Sequence, residues 1–315
     1  AVNVLQNICC NNVDVALGKV VYSQMLNERG GIEADITVTR LAEDKFFIVS
    51  PGATGIRDYD WIQRHIPDGA FAVLTDVTSA YTMLAVMGPK SRDLLAGLTD
   101  AALSKAAFPF ATAQEIDLAY ARPLAIRMSF VGELGWELYI PTEFSTNVFD
   151  ALVTEGKKYD LKLVGLHALD SLRLEKGYKH WGADITPNDT PFEAGLGFCV
   201  KLEKDTFIGK DALARQKESG LTKRLVMFSI DDSEPLVYHD EPIYRDGELV
   251  SENTHGAYSH VLGCSIGMCY LKNPAGIEEG WIRSGKYEIN VAGKLFPIKI
   301  HLEPVYDPKS KNVRI

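Results

Sequence analysis

No stretch of this 315-residue sequence approaches the roughly 18 consecutive apolar residues of a membrane-spanning helix, and no charged-then-apolar leader opens it. A G-x-G-x-x-G fingerprint is missing, because Gly195-Leu196-Gly197 has no third glycine, and there is neither a Walker P-loop nor a G-x-S-x-G nucleophile elbow. Dinucleotide, ATP and α/β-hydrolase sites of those types are therefore excluded from this chain. Cysteine is scarce. Cys9, Cys10, Cys199, Cys264 and Cys269 are odd in number, scattered and without a C-x-x-C pair, which indicates reduced thiols in a reducing compartment. Basic residues are in deficit, 33 Lys and Arg against 42 Asp and Glu, and the net charge of -9 offers no overall field for nucleic acid or an anionic membrane. An anionic ligand must be met by a local basic cluster. A helix cap is lacking as well. Ala1, Val4, Leu5 and Ile8 follow helical spacing with no capping residue and no initiator Met before them, so the chain is expected to begin inside a helix, as a fragment of a longer one.

What is present is an ordinary folded composition, 46% apolar and 24% charged, too apolar for disorder and long enough for two domains. Val20 to Asn27 reads as a strand, Glu28-Arg29-Gly30-Gly31 as a turn, and Ile32 to Arg40 as a strand in strict alternation. Phe46 to Val49 is a short apolar strand. Tyr59 to His65 and Lys90 to Leu98 read as helices, the latter entered through Gly88-Pro89. The strands Leu124 to Phe130 and Trp136 to Ile140 follow, then helices over Ser145 to Tyr159, with Ser145 as N-cap, and Leu166 to Gly177. Asp211 to Ser219 is a helix stopped by Gly220. Beyond it only strand alternation remains: Arg224 to Ile230, a hairpin over Pro242 to Ser251 turning at Asp246-Gly247, and another over Tyr287 to Leu302. The expected organisation is an α+β domain over 1–220 and a small β-barrel or sandwich over 221–315. No internal repeat or low-complexity segment interrupts it.

His255, His260, Cys264 and Cys269 are spaced more loosely than structural zinc ligands and are read as core or surface residues, so no metal is expected. Three other residues are ambiguous. Asp35 sits mid-strand, where Asp is disfavoured, and by alternation shares a face with Glu33, Thr37 and Thr39; it is either a solvent-facing residue or a functional carboxylate. Glu137, between Trp136 and Leu138, carries the same two readings. Arg173 lies beside the apolar stripe of a helix, either as a ligand contact or as an i to i+3 partner of Asp170.

Three ordered segments resemble the signatures of the glycine-cleavage T-protein (aminomethyltransferase) superfamily. They are Tyr22-Ser23-Gln24-Met25-Leu26-Asn27-Glu28-Arg29-Gly30-Gly31-Ile32-Glu33-Ala34-Asp35, Phe130-Val131-Gly132-Glu133-Leu134-Gly135-Trp136-Glu137, and Leu169-Asp170-Ser171-Leu172-Arg173-Leu174-Glu175-Lys176-Gly177 followed by Trp181-Gly182. The resemblance runs from Val4 to the Val305-Tyr306-Asp307-Pro308 segment. Within the superfamily, Arg127 to Leu138 and Lys176 to Asp184 are most similar to the folate-binding C-terminal region of FAD-dependent sarcosine and dimethylglycine dehydrogenases.

The resemblance implies a T-protein-like α+β fold with a C-terminal β-barrel and tetrahydrofolate in a central channel. It implies Asp35 as the catalytic carboxylate near the folate nitrogens and Glu137 as the partner of the pterin amino group and ring N–H. Tyr22, Met25, Leu26, Asn27, Phe130, Trp136, Arg173 and Trp181 are the implied remaining contacts. Leu169 replaces one of two family arginines, which puts a glycine-cleavage role in doubt. Lys176, Lys179 and Arg173 are expected to form a basic face for the glutamyl tail. The implied function is the one-carbon-accepting part of a sarcosine or dimethylglycine dehydrogenase, forming 5,10-methylenetetrahydrofolate from the iminium or formaldehyde released by N-methylamine oxidation. FAD would belong to an upstream domain of the same polypeptide, absent from this chain. The alternatives are a stand-alone aminomethyltransferase or demethylase, and a non-catalytic regulatory module on the same fold. Cytoplasm is expected for a bacterial source and mitochondrial matrix for a eukaryotic one.

Overall fold

The computed structural model describes residues 1–315. Helices and strands are numbered separately in chain order. A short helix α1 (Val2–Ile8), with no side-chain cap on Ala1, leads into an antiparallel three-stranded sheet of β1 (Val20–Leu26), β2 (Ile32–Arg40) and β3 (Phe46–Val49). The alternation of β2 sorts its side chains as the sequence predicts. Ala34, Ile36 and Val38 are buried against Leu5 and Ile8 of α1 and Ile62 of α2 (Gly55–Arg64), while Glu33, Asp35 and Thr37 project from the opposite face. Asp35 and Thr37 on that opposite face are half-buried, because the rest of the chain closes over them to leave a cavity.

The β1–β2 turn is held by Asn27. Its Oδ1 accepts the amide N–H groups of Arg29 at 3.0 Å and Gly31 at 2.9 Å, and its Nδ2 donates to the Pro187 carbonyl at 3.2 Å. Gly31 presses so closely on Pro187 that a Cβ would stand 1.9 Å from the Pro187 carbonyl oxygen. Gly31→Ala is therefore expected to destabilise the chain by about 1–3 kcal/mol through overpacking, read as a lowered thermal midpoint. An unchanged midpoint would mean that the Pro187 loop yields freely.

The second unit is a four-stranded antiparallel sheet in the order β4-β7-β6-β5, where β4 is Tyr81–Met87, β5 Ala113–Glu115, β6 Leu124–Ile126 and β7 Gly135–Pro141. Helices α3 (Ser91–Ala96) and α4 (Ser145–Gly156) cover one face, where Leu94, Leu95, Val148 and Leu152 pack on Trp136, Leu138 and Ile140. The predicted Leu124 to Phe130 strand stops at Ile126. Arg127 is wholly buried and turns in to donate to the Phe108 carbonyl at 2.5 Å and to the Ile315 carbonyl. Ser145 is the first helical residue of α4 and not its cap; its hydroxyl donates to the Thr142 carbonyl at 2.6 Å.

Helix α5 (Leu166–Glu175) then lies across the barrel, and α6 (Lys210–Ser219) follows it in sequence, immediately before the first barrel strand, ending at Gly220 with φ +81°. The barrel is a closed ring β10-β11-β8-β13-β12-β9, built from β8 (Lys223–Ile230), β9 (Pro242–Arg245), β10 (Glu248–Ser259), β11 (Cys264–Lys272), β12 (Tyr287–Val291) and β13 (Lys294–His301), with α7 (Glu279–Ser284) before β12. Strands β4, β5 and β11 have no counterpart in the sequence reading. In β11 every residue from Cys264 to Leu271 is buried, because the barrel interior takes one face and Leu174 of α5 helps cover the other, so no alternation survives. All five cysteines are unpaired and buried.

Candidate functional site

Between the two sheets, the loops that follow α5 and the C-terminal segment lies a cavity of about 770 Å³, within the range typical of small-molecule sites. Its walls follow from strand alternation. On β7, Trp136, Leu138 and Ile140 point into the helix-covered core, so Glu137 and Tyr139 point the other way, into the cavity. On β2 the same rule brings Asp35 and Thr37 to it, and Tyr22 reaches it from β1. Residues 128–130 and 176–181, Gly195, Leu196 and Phe198, and the tail around Arg314 contribute further walls.

The two carboxylates have different environments. Asp35 Oδ1 is buried without a hydrogen-bond partner. Burial pushes the Asp35 carboxyl up to about 6, and the neighbouring carboxylate of Asp58, itself raised by burial, adds to the shift. Glu137 Oε2 accepts the Tyr139 hydroxyl at 2.8 Å, and its other oxygen bonds to no protein group. Burial raises Glu137, and the Tyr139 hydrogen bond opposes that rise.

Aromatic rings line the rest. Tyr22 stacks with Phe198 at 6.0 Å and 25°, and Phe130 with Tyr178 at 6.1 Å and 20°. Trp181 is fixed edge and face: its indole N–H donates to the Ile32 carbonyl at 3.0 Å, and the Arg57 guanidinium lies 4.4 Å from its ring centroid.

Of the residues singled out from the sequence, Asp35, Tyr22, Phe130, Glu137 and Trp181 come together here. Met25, Leu26, Asn27, Trp136 and Arg173 do not. Met25 and Leu26 are fully buried in cores behind β1, Asn27 is spent on its turn, and Trp136 is on the opposite face of β7 from Glu137. Arg173 has no exposed surface. Its guanidinium bonds Asp170 at 3.1 Å, the Tyr178 carbonyl at 3.0 Å and the buried Asp184.

The expected basic face of Arg173, Lys176 and Lys179 is corrected by the same contacts. The Lys176 ammonium is engaged by Asp307, through its carbonyl at 2.5 Å and its carboxylate at 3.2 Å. Only Lys179 of the three faces the cavity without an acidic partner; its Nζ donates to the Gly177 carbonyl at 2.8 Å, and burial pulls its amine down to about 8. The second cation is Arg314, exposed, without an ion pair, and near the Phe110 ring at 6.0 Å. Arg314 was missed in the sequence because nothing local marks it; the Lys176–Asp307 contact brings the tail to the cavity. Tyr139 did carry a signal, since it stands two residues from Glu137 on the same strand face.

Residues 1–204 match the family described as GCVT N-terminal domain, and residues 223–307 match the glycine cleavage T-protein C-terminal barrel domain. The chain is 39% identical over 315 residues to the 4-methylaminobutanoate oxidase (formaldehyde-forming) of Paenarthrobacter nicotinovorans, a match covering 100% of this chain and 37% of that protein. It is 36% identical over 314 residues to the mitochondrial sarcosine dehydrogenase of Mus musculus, covering 94% of this chain and 34% of that protein. The chain thus spans little more than a third of the length of these curated relatives. The crystal structure of the glycine cleavage system aminomethyltransferase T from Bartonella henselae superposes with a TM-score of 0.82 at 26% identity, over 98% of this chain and 81% of that one.

Proposed function

The chain belongs to the glycine cleavage T-protein family, and on that premise we propose that its cavity binds tetrahydrofolate and accepts a one-carbon unit released by N-methylamine oxidation. In this reading it is the folate part of an FAD-dependent dehydrogenase of the sarcosine or dimethylglycine type, and the flavin chemistry belongs to a separate domain. One observation carries the proposal: Asp35 and Glu137, from different sheets, line one cavity walled by stacked aromatic pairs.

The residues fit such a ligand. The free oxygen of Glu137 is an acceptor for an amino group and ring N–H, the partnerless Oδ1 of Asp35 can accept a proton or an N–H, and the ring pairs suit a flat heterocycle. Bound tetrahydrofolate supplies neighbouring amine nitrogens that take up the one-carbon unit. Asp35 accepts the proton lost as a nitrogen is alkylated, and its negative charge stabilises the cationic stage of the transfer. Glu137 fixes orientation. Tyr22, Phe198, Phe130, Tyr178 and Trp181 keep water from the reacting centre, and Lys179 and Arg314 offer positive charge to the carboxylates of the glutamyl tail.

Isothermal titration with tetrahydrofolate tests this reading. Binding should be measurable and should weaken about tenfold or more in Glu137→Gln, which loses a charge-assisted hydrogen-bond acceptor. Absence of binding, or affinity indifferent to that substitution, would sink the proposal. The 81% span of the Bartonella henselae protein favours a second reading, a stand-alone folate-dependent aminomethyltransferase. Supplying tetrahydrofolate with formaldehyde in one assay and with an aminomethylated carrier protein in another separates the two.

A further inference from the structure

Glu137 is not an isolated carboxylate on a cavity wall. Tyr139, two residues on along β7, projects from the same face and donates its hydroxyl to Glu137 Oε2 at 2.8 Å. The Tyr139 ring is 5% exposed and packs with Val20, Ala113 and Ile126 where the two sheets meet. Phe47 of β3 meets it edge-on, 5.1 Å between centroids at 77°. Side chains from β1, β3, β5 and β6 therefore set the position of this hydroxyl, and it cannot follow Glu137 if the carboxylate swings.

We propose that Tyr139 is a positioning and specificity-determining residue, holding Glu137 as a fixed, acceptor-only carboxylate that selects ligands presenting adjacent N–H donors. The inference rests on the folate reading above and adds the group that holds the acceptor of the amino edge in place. A 2-amino-4-oxo pteridine offers an amino group beside a ring N–H. A 2,4-dioxo pteridine puts a carbonyl oxygen where the amino group would be, against the acceptor oxygen of Glu137, and is rejected. Tyr139 stays a donor throughout, since burial and the Glu137 charge raise its phenol above the ordinary range.

No other ionisable group adjoins Glu137 within its sheet. Its cross-strand neighbours are Ala85 on β4 and Ile126 on β6, neither titratable. Across the cavity the charged or titratable groups are Asp35, Tyr22, Lys176, Tyr178, Lys179, His180 and Arg314. Removing the Tyr139 hydroxyl leaves burial unopposed at Glu137, so its carboxyl rises and protonates at higher pH. A protonated Glu137 loses its acceptor-only character.

The experiment is titration of the intact chain with tetrahydrofolate across pH 5–8, a window of about three units above the ordinary carboxyl range, toward which burial raises Glu137, for the wild type, Tyr139→Phe, Glu137→Gln and the double variant. Tyr139→Phe is expected to weaken binding about tenfold near neutrality and to move the acid loss of binding to higher pH. Glu137→Gln should abolish the shift that Tyr139→Phe causes, leaving only the acid limb that belongs to Asp35, and the double variant should bind no more weakly than Glu137→Gln alone. The wild type should also bind a 2,4-dioxo analogue at least about tenfold more weakly than the 2-amino form, a measurement independent of any variant's folding. If Glu137→Gln weakens binding but Tyr139→Phe leaves both affinity and pH profile unchanged, the inference falls and the folate reading stands. Equal affinity for the two analogues also overturns it. If the wild type binds no tetrahydrofolate at all, the folate reading itself has failed.

Discussion

Asp35→Asn is expected to cut one-carbon transfer to tetrahydrofolate by about 10²–10⁴-fold, the usual worth of a positioned proton acceptor, while folate affinity changes only a few-fold. Asn keeps the shape and one oxygen acceptor but cannot take a proton or carry the negative charge. The pH profile should separate the roles further. Burial, with Asp58 adding to it, raises the Asp35 carboxyl to about 6. Because the base is the ionised form, the wild-type transfer rate should climb as pH rises through about 6 and then level off, and that acid limb should vanish in Asp35→Asn. Single-turnover measurement of one-carbon incorporation at several pH values reads both effects. A variant that transfers at the wild-type rate with the limb intact would remove Asp35 from the chemistry.

The second large effect is structural. Arg173→Ala should destabilise the fold by about 3–5 kcal/mol, because it leaves the wholly buried Asp184 without its cation. Asp184 is also where the α+β part meets the barrel: its carboxylate accepts the Thr254 hydroxyl of β10 at 2.7 Å and the His180 amide at 2.9 Å, and its carbonyl accepts the Tyr270 hydroxyl of β11 at 3.0 Å. Arg173 Nη1 holds the Tyr178 carbonyl as well, so the loop carrying Tyr178, Lys179 and Trp181 should loosen with it. Urea unfolding of the variant measures the loss. Weakened folate binding with unchanged stability would instead return Arg173 to the list of ligand contacts.

That reversal for Arg173 illustrates where sequence reasoning stopped. An arginine at i+3 from Asp170 beside an apolar stripe supports either a pair or a ligand contact, and the buried Asp184 that decides the matter is 11 residues away in the chain. Trp136 and Glu137 illustrate the opposite case. Period-two alternation had already placed them on opposite faces, and a single strand cannot present both to one ligand, so the motif match alone overextended the site. Met25 and Leu26 fail similarly: they border the signature turn but are fully buried in cores. Strands β4 and β11 were invisible for a different reason. Most of β11 is enclosed on both faces, while β4 alternates in burial but carries Tyr81, Met83 and Ala85 on its exposed side, so neither shows the apolar–polar alternation from which strands are read.

The sequence by itself determined the α+β-then-barrel order, the family, and the residue types of the site, because these depend on periodicity, turn chemistry and ordered motifs, all local along the chain. Whether the polar faces of β2 and β7 would meet solvent or one another was decided only by tertiary structure. Packing of the two sheets against one another turns Asp35 and Glu137 into one cavity and brings in Tyr139, while internal pairing takes Arg173 out of reach and occupies Lys176, and the C-terminal tail adds Arg314. The physical reason is that alternation states which side a residue takes, whereas desolvation and charge pairing depend on what other part of the chain covers that side.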